Sequence, residues 1–492
     1  MIPLSNPAKK QGDALCRDRR LSVVVFALFF SWLLAFPFEG RVLYAITNYH
    51  GVSAHQFVFG AMAAHFAGLL ACGFFVKNMR TAKKLILFSI AFCAAATGVF
   101  FLPPSFLWAA ALFLAAFLVG ACVAAWGFYF KGCTPKDERI KTMADGLIFS
   151  NLLMILLNMA AIHLSAQIAL GFSIAFLAAA FLTALKLPKR GAEGSSASAA
   201  TDADVPVSPS TPGQGAVPVS KSGALAFLCL FIVVITINSG LMYQVVSPAF
   251  ARLEWLTSWY WAVPYIAALF VMRNLSGRFN RSYILYVAIA MLGISFILFI
   301  VLGRLWTDYL LINTLMLGAC GVYDLFWWSI LGDMLEYDKN PAKIIGTGLA
   351  ANVLGVLLGG LIGNAITAAN GQTQSHTLLA FGVVCATFIL LPPLSNRLTR
   401  LLKSNIYLPA LAETPVQEQI GMINELDLAE PLTARESEVM RLLLSGKSYK
   451  VIAAELYITE KTVGSHASKI YLKAGVTNRA ELMNLFLKPP SQ

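Results

Sequence analysis

The sequence predicts an all-α protein in two parts: a twelve-helix transmembrane bundle made of two six-helix halves, and a small C-terminal domain of four helices. Three observations predict it. Apolar residues make up 58% of the 492 residues and mean hydropathy is +0.69, where soluble domains use about 45–50% apolar residues. Runs long enough to cross about 30 Å of hydrocarbon recur as far as residue 396. The last sixty or so residues are instead charged and amphipathic.

The first six runs lie at 21–44, 54–76, 85–102, 106–130, 143–164 and 166–187, each bounded by charge, Pro or Gly. The second six lie at 224–246, 255–272, 283–302, 309–330, 345–368 and 377–394. No small-residue cleavage site follows the first run, so it reads as a retained helix. Val119-Gly120-Ala121-Cys122 in the fourth run recurs as Leu317-Gly318-Ala319-Cys320 in the tenth, an echo expected of duplicated halves. The organisation that follows is a basic N-terminus (1–20), a first half (21–187), a linker (188–223), a second half (224–396), a juxtamembrane linker (397–430) and a C-terminal domain (431–488). The central linker, rich in Ser, Ala, Pro and Gly, has too little large apolar surface to offset its ordering entropy and is expected to be disordered. The second linker has five acids and no Lys or Arg over 405–430, with Val416, Ile420 and Ile423 at helical spacing. A short connecting helix, docking on the basic loops, or neither are all compatible with that pattern.

Orientation follows from the cations. Alternate loops, beginning with the N-terminus, hold twenty-two Lys and Arg, and the intervening loops hold Arg41, Arg252 and Arg304. The positive-inside rule then places the N-terminus in the cytosol, and an even helix count returns the C-terminus there. The expected location is the cytoplasmic (inner) membrane of the cell. Part of the net charge of +12 is therefore a topology signal.

Polar groups inside spans are costly and are candidate ligand contacts by default. They are His65 in the second run, Asn151 and Asn158 on one face of the fifth, Asn238 and Tyr243 in the seventh, Tyr323, Asp324 and Trp327 in the tenth, and Asn352 in the eleventh. Aromatic walls with a few fixed polar groups suit a small aromatic or amphipathic ligand. Each residue also has a plainer role, since Asn and His often join helices and Trp favours interfaces.

In the C-terminal domain, Thr433 and Glu436 have capping-box spacing. Val439, Leu442 and Leu443 form an apolar face, and Gly446 ends that helix. Ser448 caps a short second helix and Thr459 caps a third over about 460–473. Burial of Ile452, Ala453 and Leu456 against Val463 and Ile470 turns Lys461, Thr462, Ser465, Ser468, Lys469 and Lys473 outward. Nine cations face five acids from Pro431 onward, so attraction to phosphate is available.

Two resemblances sharpen this. Over roughly 21–396 the two six-helix halves and long central loop resemble the major facilitator superfamily, whose substrate site lies between the halves. The family's loop signature GxxxDRxGRR would fall at 73–84, which reads GFFVKNMRTAKK with Lys77 and Asn78 in place of Asp and Arg. The C-terminal domain is similar to the LuxR-type (GerE-like) helix-turn-helix family. Its pattern L-T-x-R-E-x-E-V is met by Leu432, Thr433, Arg435, Glu436, Glu438 and Val439. Matches continue through Gly446, Ser448, Ile452, Ala453, Leu456, Ile458, Thr462, Val463, His466, Ile470, Lys473, Val476, Asn478 and Arg479. The resemblance implies a recognition helix whose base-contacting positions are Gly464, Ser465 and Ser468, with Lys469 and Lys473 near phosphates and Lys461, Thr462 and His466 in the same DNA-facing set. The ordinary alternative for His466 is a structural hydrogen bond within that helix. The family often has Lys where this chain has Gly464, and its modules usually bind double-stranded DNA as homodimers.

No Walker loop, dinucleotide fingerprint, HExxH motif or nucleophile elbow is present, and the eight cysteines do not cluster as ligands. An enzyme, a cofactor and a metal site are therefore not expected, and catalytic residues are none. The whole architecture resembles that of membrane-bound one-component transcription regulators, and the resemblance implies that the bundle is the receptor for a small molecule. The alternatives are a transporter with a regulatory DNA-binding tail, and a scaffold whose tail binds protein.

Overall fold

The computed structural model describes residues 7–38, 40–189, 221–275, 281–335, 338, 340–370, 430–444, 447 and 449–476, with isolated positions between 382 and 428 and at 479, 482 and 485. Among these residues every regular element is helical. Contacts divide the chain into two units, Met1–Ala203 with Leu225–Pro392, and Asp204–Ala224 with Pro393–Gln492.

In the first unit most helices follow the apolar runs: α3 (His55–Phe75), α4 (Met79–Gly98), α5 (Phe106–Gly132), α6 (Arg139–His163) and α7 (Ala166–Leu185) in the first half, α12 (Arg281–Val301), α13 (Trp306–Met334) and α14 (Pro341–Asn370) in the second. Among the described residues these eight are long and apolar enough to cross a membrane, or nine with a bent pair counted as one span. The chain is a multi-pass membrane protein.

Three runs depart from the expected single helices. The run at 21–44 is two helices, α1 (Pro7–Ala35) and α2 (Arg41–Tyr49). Pro37 lies between them, and its missing N–H and ring clash with the preceding turn stop a helix there. The run at 224–246 is α8 (Lys221–Leu241) followed by a π-helical segment, Met242–Val246, and the short α9 (Ser247–Ala249). The run at 255–272 is α10 (Glu254–Thr257) and α11 (Ala262–Asn274), with a bend of 44° between α11 and the segment Ala251–Thr257 that contains α10. The run at 377–394 and the linker at 190–220 lie almost entirely outside the described residues.

The halves meet in a crossed pattern. Counting spans, α3 is second in its half and packs on α14, the fifth of the other, while α6 is fifth in its half and packs on α11, the second of the other. That reciprocity is what a duplicated bundle with an internal two-fold produces. Close approach of α14 to α3 needs a bare backbone at Gly346, where an added Cβ would lie 2.3 Å from the Leu69 carbonyl oxygen. Aromatic rings continue the seam: Phe26 of α1 lies 4.4 Å from Trp126 and 6.5 Å edge-on from Trp328, which stacks on Trp327 at 5.2 Å.

The second unit contains α15 (Ala434–Leu444), α16 (Tyr449–Glu455) and α17 (Glu460–Lys473), with helical positions at 479, 482 and 485. Val439, Leu443, Ile452, Val463, Ala467 and Ile470 are fully buried at its centre. Ile423 and Leu482 complete the same core. Of the three apolar residues read at helical spacing in the second linker, Ile423 joins this core, and Val416 and Ile420 lie outside the described residues.

Candidate functional site

The capping box at the start of α15 is formed. Thr433 N–H donates to Glu436 Oε2 at 2.9 Å, and Glu436 N–H donates to Thr433 Oγ1 at 3.3 Å. Burial works against the Glu436 charge, but the Thr433 N–H, the Lys473 ammonium and the Thr433 hydroxyl outweigh it and hold the carboxyl down at about 2. At the far end of α17 the chain turns through Gly475 at φ +62°, a left-handed cap that favours glycine. Between α16 and α17 the corresponding left-handed position is Tyr457, at φ 55° and 95% exposed.

Thr459 caps α17 by accepting from Thr462 N–H at 3.2 Å, which fixes where the helix starts and so which side chains face out. Val463, Ala467 and Ile470 are buried on one face; Lys461, Thr462, Ser465, Ser468 and Lys469 are exposed on the other. His466 is half-buried at the edge of that face. Gly464, also half-buried, faces the Tyr449 ring, and a Cβ there would meet it at an ordinary 3.8 Å. Ser468 Oγ donates back to the Gly464 carbonyl at 3.0 Å. Lys473 is placed differently from the others: its ammonium donates to Glu436 Oε2 at 2.9 Å and to the Pro431 carbonyl at 3.0 Å, and its side chain is 17% exposed. Its charge is engaged inside the domain. Arg479 donates to the carbonyls of Lys447 (3.0 Å) and Leu443, tying the following helical segment to the α15–α16 turn, and burial lowers its pKa.

In the bundle the sequence-predicted polar residues divide by whether they are satisfied. His65 is buried with Nδ1 3.3 Å from the Ala116 carbonyl and its ring edge-on to Phe38. Asn151 donates to the Leu147 carbonyl at 2.8 Å within its own helix. The Asp324 carboxylate accepts from Tyr265 OH at 2.7 Å and from Trp327 Nε1 at 3.1 Å, so one oxygen orients each ring. Tyr243 is half-buried in the π-helical segment. Asn352 is half-buried, and its carbonyl accepts from Thr236 Oγ1 at 3.2 Å, joining α14 to α8. The buried Asn238 has neither amide atom partnered, and neither Asn158 Oδ1 nor the Tyr323 hydroxyl has a partner. A buried amide left so costs about 1–3 kcal/mol.

The sequence reading missed a set of bonds joining the halves at the end where the cations gather. Arg273 of α11 donates to Asp145 of α6 at 2.5 and 3.3 Å. Arg139 reaches the Gly332 carbonyl at 2.8 Å, and Lys131 the Leu335 carbonyl at 2.8 Å. Asn340, just ahead of α14, donates to the Gly73 (2.7 Å) and Val76 (3.0 Å) carbonyls at the end of α3. That contact falls on the loop lacking the facilitator signature, where Asn78 instead caps α4 by accepting from Thr81 N–H at 2.9 Å. The opposite end contributes the exposed Arg41–Glu254 pair at 3.6 Å. The signal for the clamp was present as Asp145, an acid set among the cations of that end.

Comparison with known proteins fits each unit separately. The bundle superposes on the crystal structure of the human organic anion transporter MFSD10 (TETRAN), with TM-score 0.59 and 18% identity, covering 76% of this chain and 99% of that one. This likeness is one of fold. Residues 430–486 match the family described as bacterial regulatory proteins, luxR family. The spore germination protein GerE of Bacillus subtilis is 50% identical over 50 residues, 10% of this chain and 68% of that protein. The probable transcriptional regulatory protein NarL of Mycobacterium tuberculosis is 45% identical over 53 residues, 11% of this chain, and the match spans only 24% of NarL's length. With more than two thirds of GerE matched at half identity, the chain belongs through its C-terminal domain to the luxR family of bacterial regulatory proteins.

Proposed function

We propose that this protein is a membrane-embedded one-component transcription regulator: the bundle senses a small molecule and the C-terminal domain binds promoter DNA. The observation that carries the reading is the presence, on one chain, of a luxR-family domain with an unencumbered polar face on α17 and a facilitator-like bundle with unpartnered polar groups in its interior. In this reading α17 enters the major groove, Thr462 and Ser465 face base edges, and Lys461 and Lys469 meet phosphates. Gly464 and Ser468 lie along the same face, and His466 borders it. Two copies of the domain read half-sites about one helical turn apart. The bundle resides in the cytoplasmic membrane with both termini in the cytosol, as access to DNA requires.

The ligand is a small aromatic or amphipathic molecule. Trp327 supplies a stacking wall held by Asp324, while Asn238, Asn158 and the Tyr323 hydroxyl supply hydrogen bonds that the protein itself leaves unmade. His65, Asn151 and Asn352 support the helices around them, and Tyr243 sits on the π segment, a form of helix frequent at functional sites. No chemistry is asked of any residue, so the role is regulatory and non-enzymatic. A transporter with a regulatory tail is favoured by one observation, the fold shared with an organic anion transporter over that protein's whole length. Accumulation of labelled solute in vesicles separates the two.

The direct test is selection from a random duplex library by the full chain in nanodiscs. Enriched sequences should bind with strongly salt-dependent affinity. Lys461→Gln with Lys469→Gln should weaken every sequence about tenfold and lower the salt slope by about two, whereas Ser465→Ala should change preference between sequences. Recovery of no more DNA than on empty nanodiscs would sink the proposal.

A further inference from the structure

The three arginines just ahead of the apolar stretch of α1 point in two directions. Arg19, with a side chain only 17% exposed, turns inward to Glu138 and Asp145 and donates to Thr142 Oγ1 at 2.7 Å. Arg17 and Arg20 turn outward, together with Leu21 and Val24, because residues three and four apart share a helix face. With Cys16 and with Thr183 of α7 they line a groove of about 370 Å³ between α1 and α7. Along its axis the groove passes from two guanidinium groups to Leu21 and then to Val24, which is 44% exposed. Lys186 and Lys189, both exposed, follow on the α7 side. Asp18 is the acid beside the groove, 3.4 Å from Arg17, whose side chain remains 72% exposed.

We infer that this groove is a binding site for an anionic phospholipid of the bilayer, with the phosphate between Arg17 and Arg20 and an acyl chain along Leu21 and Val24. Charge complementarity and the change from cationic to apolar along one helix face select this occupant. Guanidinium groups match phosphate oxygens in a fixed fork, and basic pockets between transmembrane helices recognise anionic headgroups. A free anion would use the arginines and leave the apolar half of the groove unused. Because Arg19 on the same turn ties α1 to Glu138 and Asp145, and Asp145 also holds Arg273, an occupant of the groove sits one residue from the clamp between the halves. The inference rests on reading α1 as crossing the headgroup region, and not on what the C-terminal domain binds.

The test is native mass spectrometry of the full chain released from nanodiscs of equal phosphatidylglycerol and phosphatidylcholine. The wild type should retain phosphatidylglycerol in preference to phosphatidylcholine. Arg17→Gln with Arg20→Gln should lower that retained fraction at least fivefold, and Arg252→Gln, at the opposite end, should leave it unchanged. Thr183→Trp, which keeps both arginines and fills the groove, should lower it as well, so the proposal stays testable if the arginine variant does not fold. Equal retention in both groove variants, no preference for the anionic lipid, or full displacement by millimolar inorganic phosphate would each overturn the site. None of these readouts involves DNA, so a failed DNA selection and a failed lipid test remain distinguishable.

Discussion

Glu436 closes the capping box of α15 and, through Lys473, fastens the end of α17 to its start. Its carboxyl titrates at about 2 in the folded domain against an ordinary 4.5. The stabilisation is therefore present above about pH 4.5 and is lost as pH falls toward 2, a contribution of about 3 kcal/mol at most. Thermal melts of a fragment spanning 421–492, followed by circular dichroism, should show the melting temperature dropping through that window. Glu436→Gln should lower it at neutral pH and flatten the acid dependence. A variant that keeps the wild-type acid profile would contradict the assignment. Lys473→Ala belongs to the same bond and should cost stability before it costs DNA affinity.

Helix α17 owes its register to a cap and three apolar positions. The Thr459 cap and the burial of Val463 and Ile470 were legible in the sequence because local spacing fixes them, and the structure adds Thr462 as the cap's partner and Ala467 as the third buried position. Gly464 lies within that continuous helix without steric need for glycine, since an added Cβ meets the Tyr449 ring at an ordinary 3.8 Å. Gly464→Lys should accordingly gain up to about 1 kcal/mol of helix stability and steepen the salt dependence of DNA binding by about one ion. Unchanged melting and salt slope would show that the position is neither open nor turned toward DNA. Other elements were less legible. The run at 21–44 kept its hydropathy across Pro37, so composition hid the break between α1 and α2. The π segment at Met242–Val246 differs from its neighbours in hydrogen bonding, which leaves no mark on apolar spacing. The role of Tyr265 was missed for a different reason: a buried Asp324 announces that it needs donors, but a partner 59 residues away is set by tertiary packing.

In the whole bundle, the charges first read as a topology signal are also partners. Asp145, Arg273, Arg139, Lys131 and Asn340 join the halves at one end, while the other end has the exposed Arg41–Glu254 pair. In the proposed reading this clamp is the element that a ligand with different affinity for open and closed forms would bias. Asp145→Asn should loosen the clamp and change reporter output without ligand, while the purified chain keeps its affinity for selected DNA. Wild-type output at all ligand concentrations would exclude the clamp from signalling. The central claim is that a DNA-reading domain works while anchored in the membrane. It is tested most directly by crosslinking living cells, isolating their membranes and sequencing the DNA held by the chain. Discrete two-fold symmetric sites that vanish in the Lys461→Gln, Lys469→Gln variant are the predicted result, and a flat profile indistinguishable from that variant would contradict it.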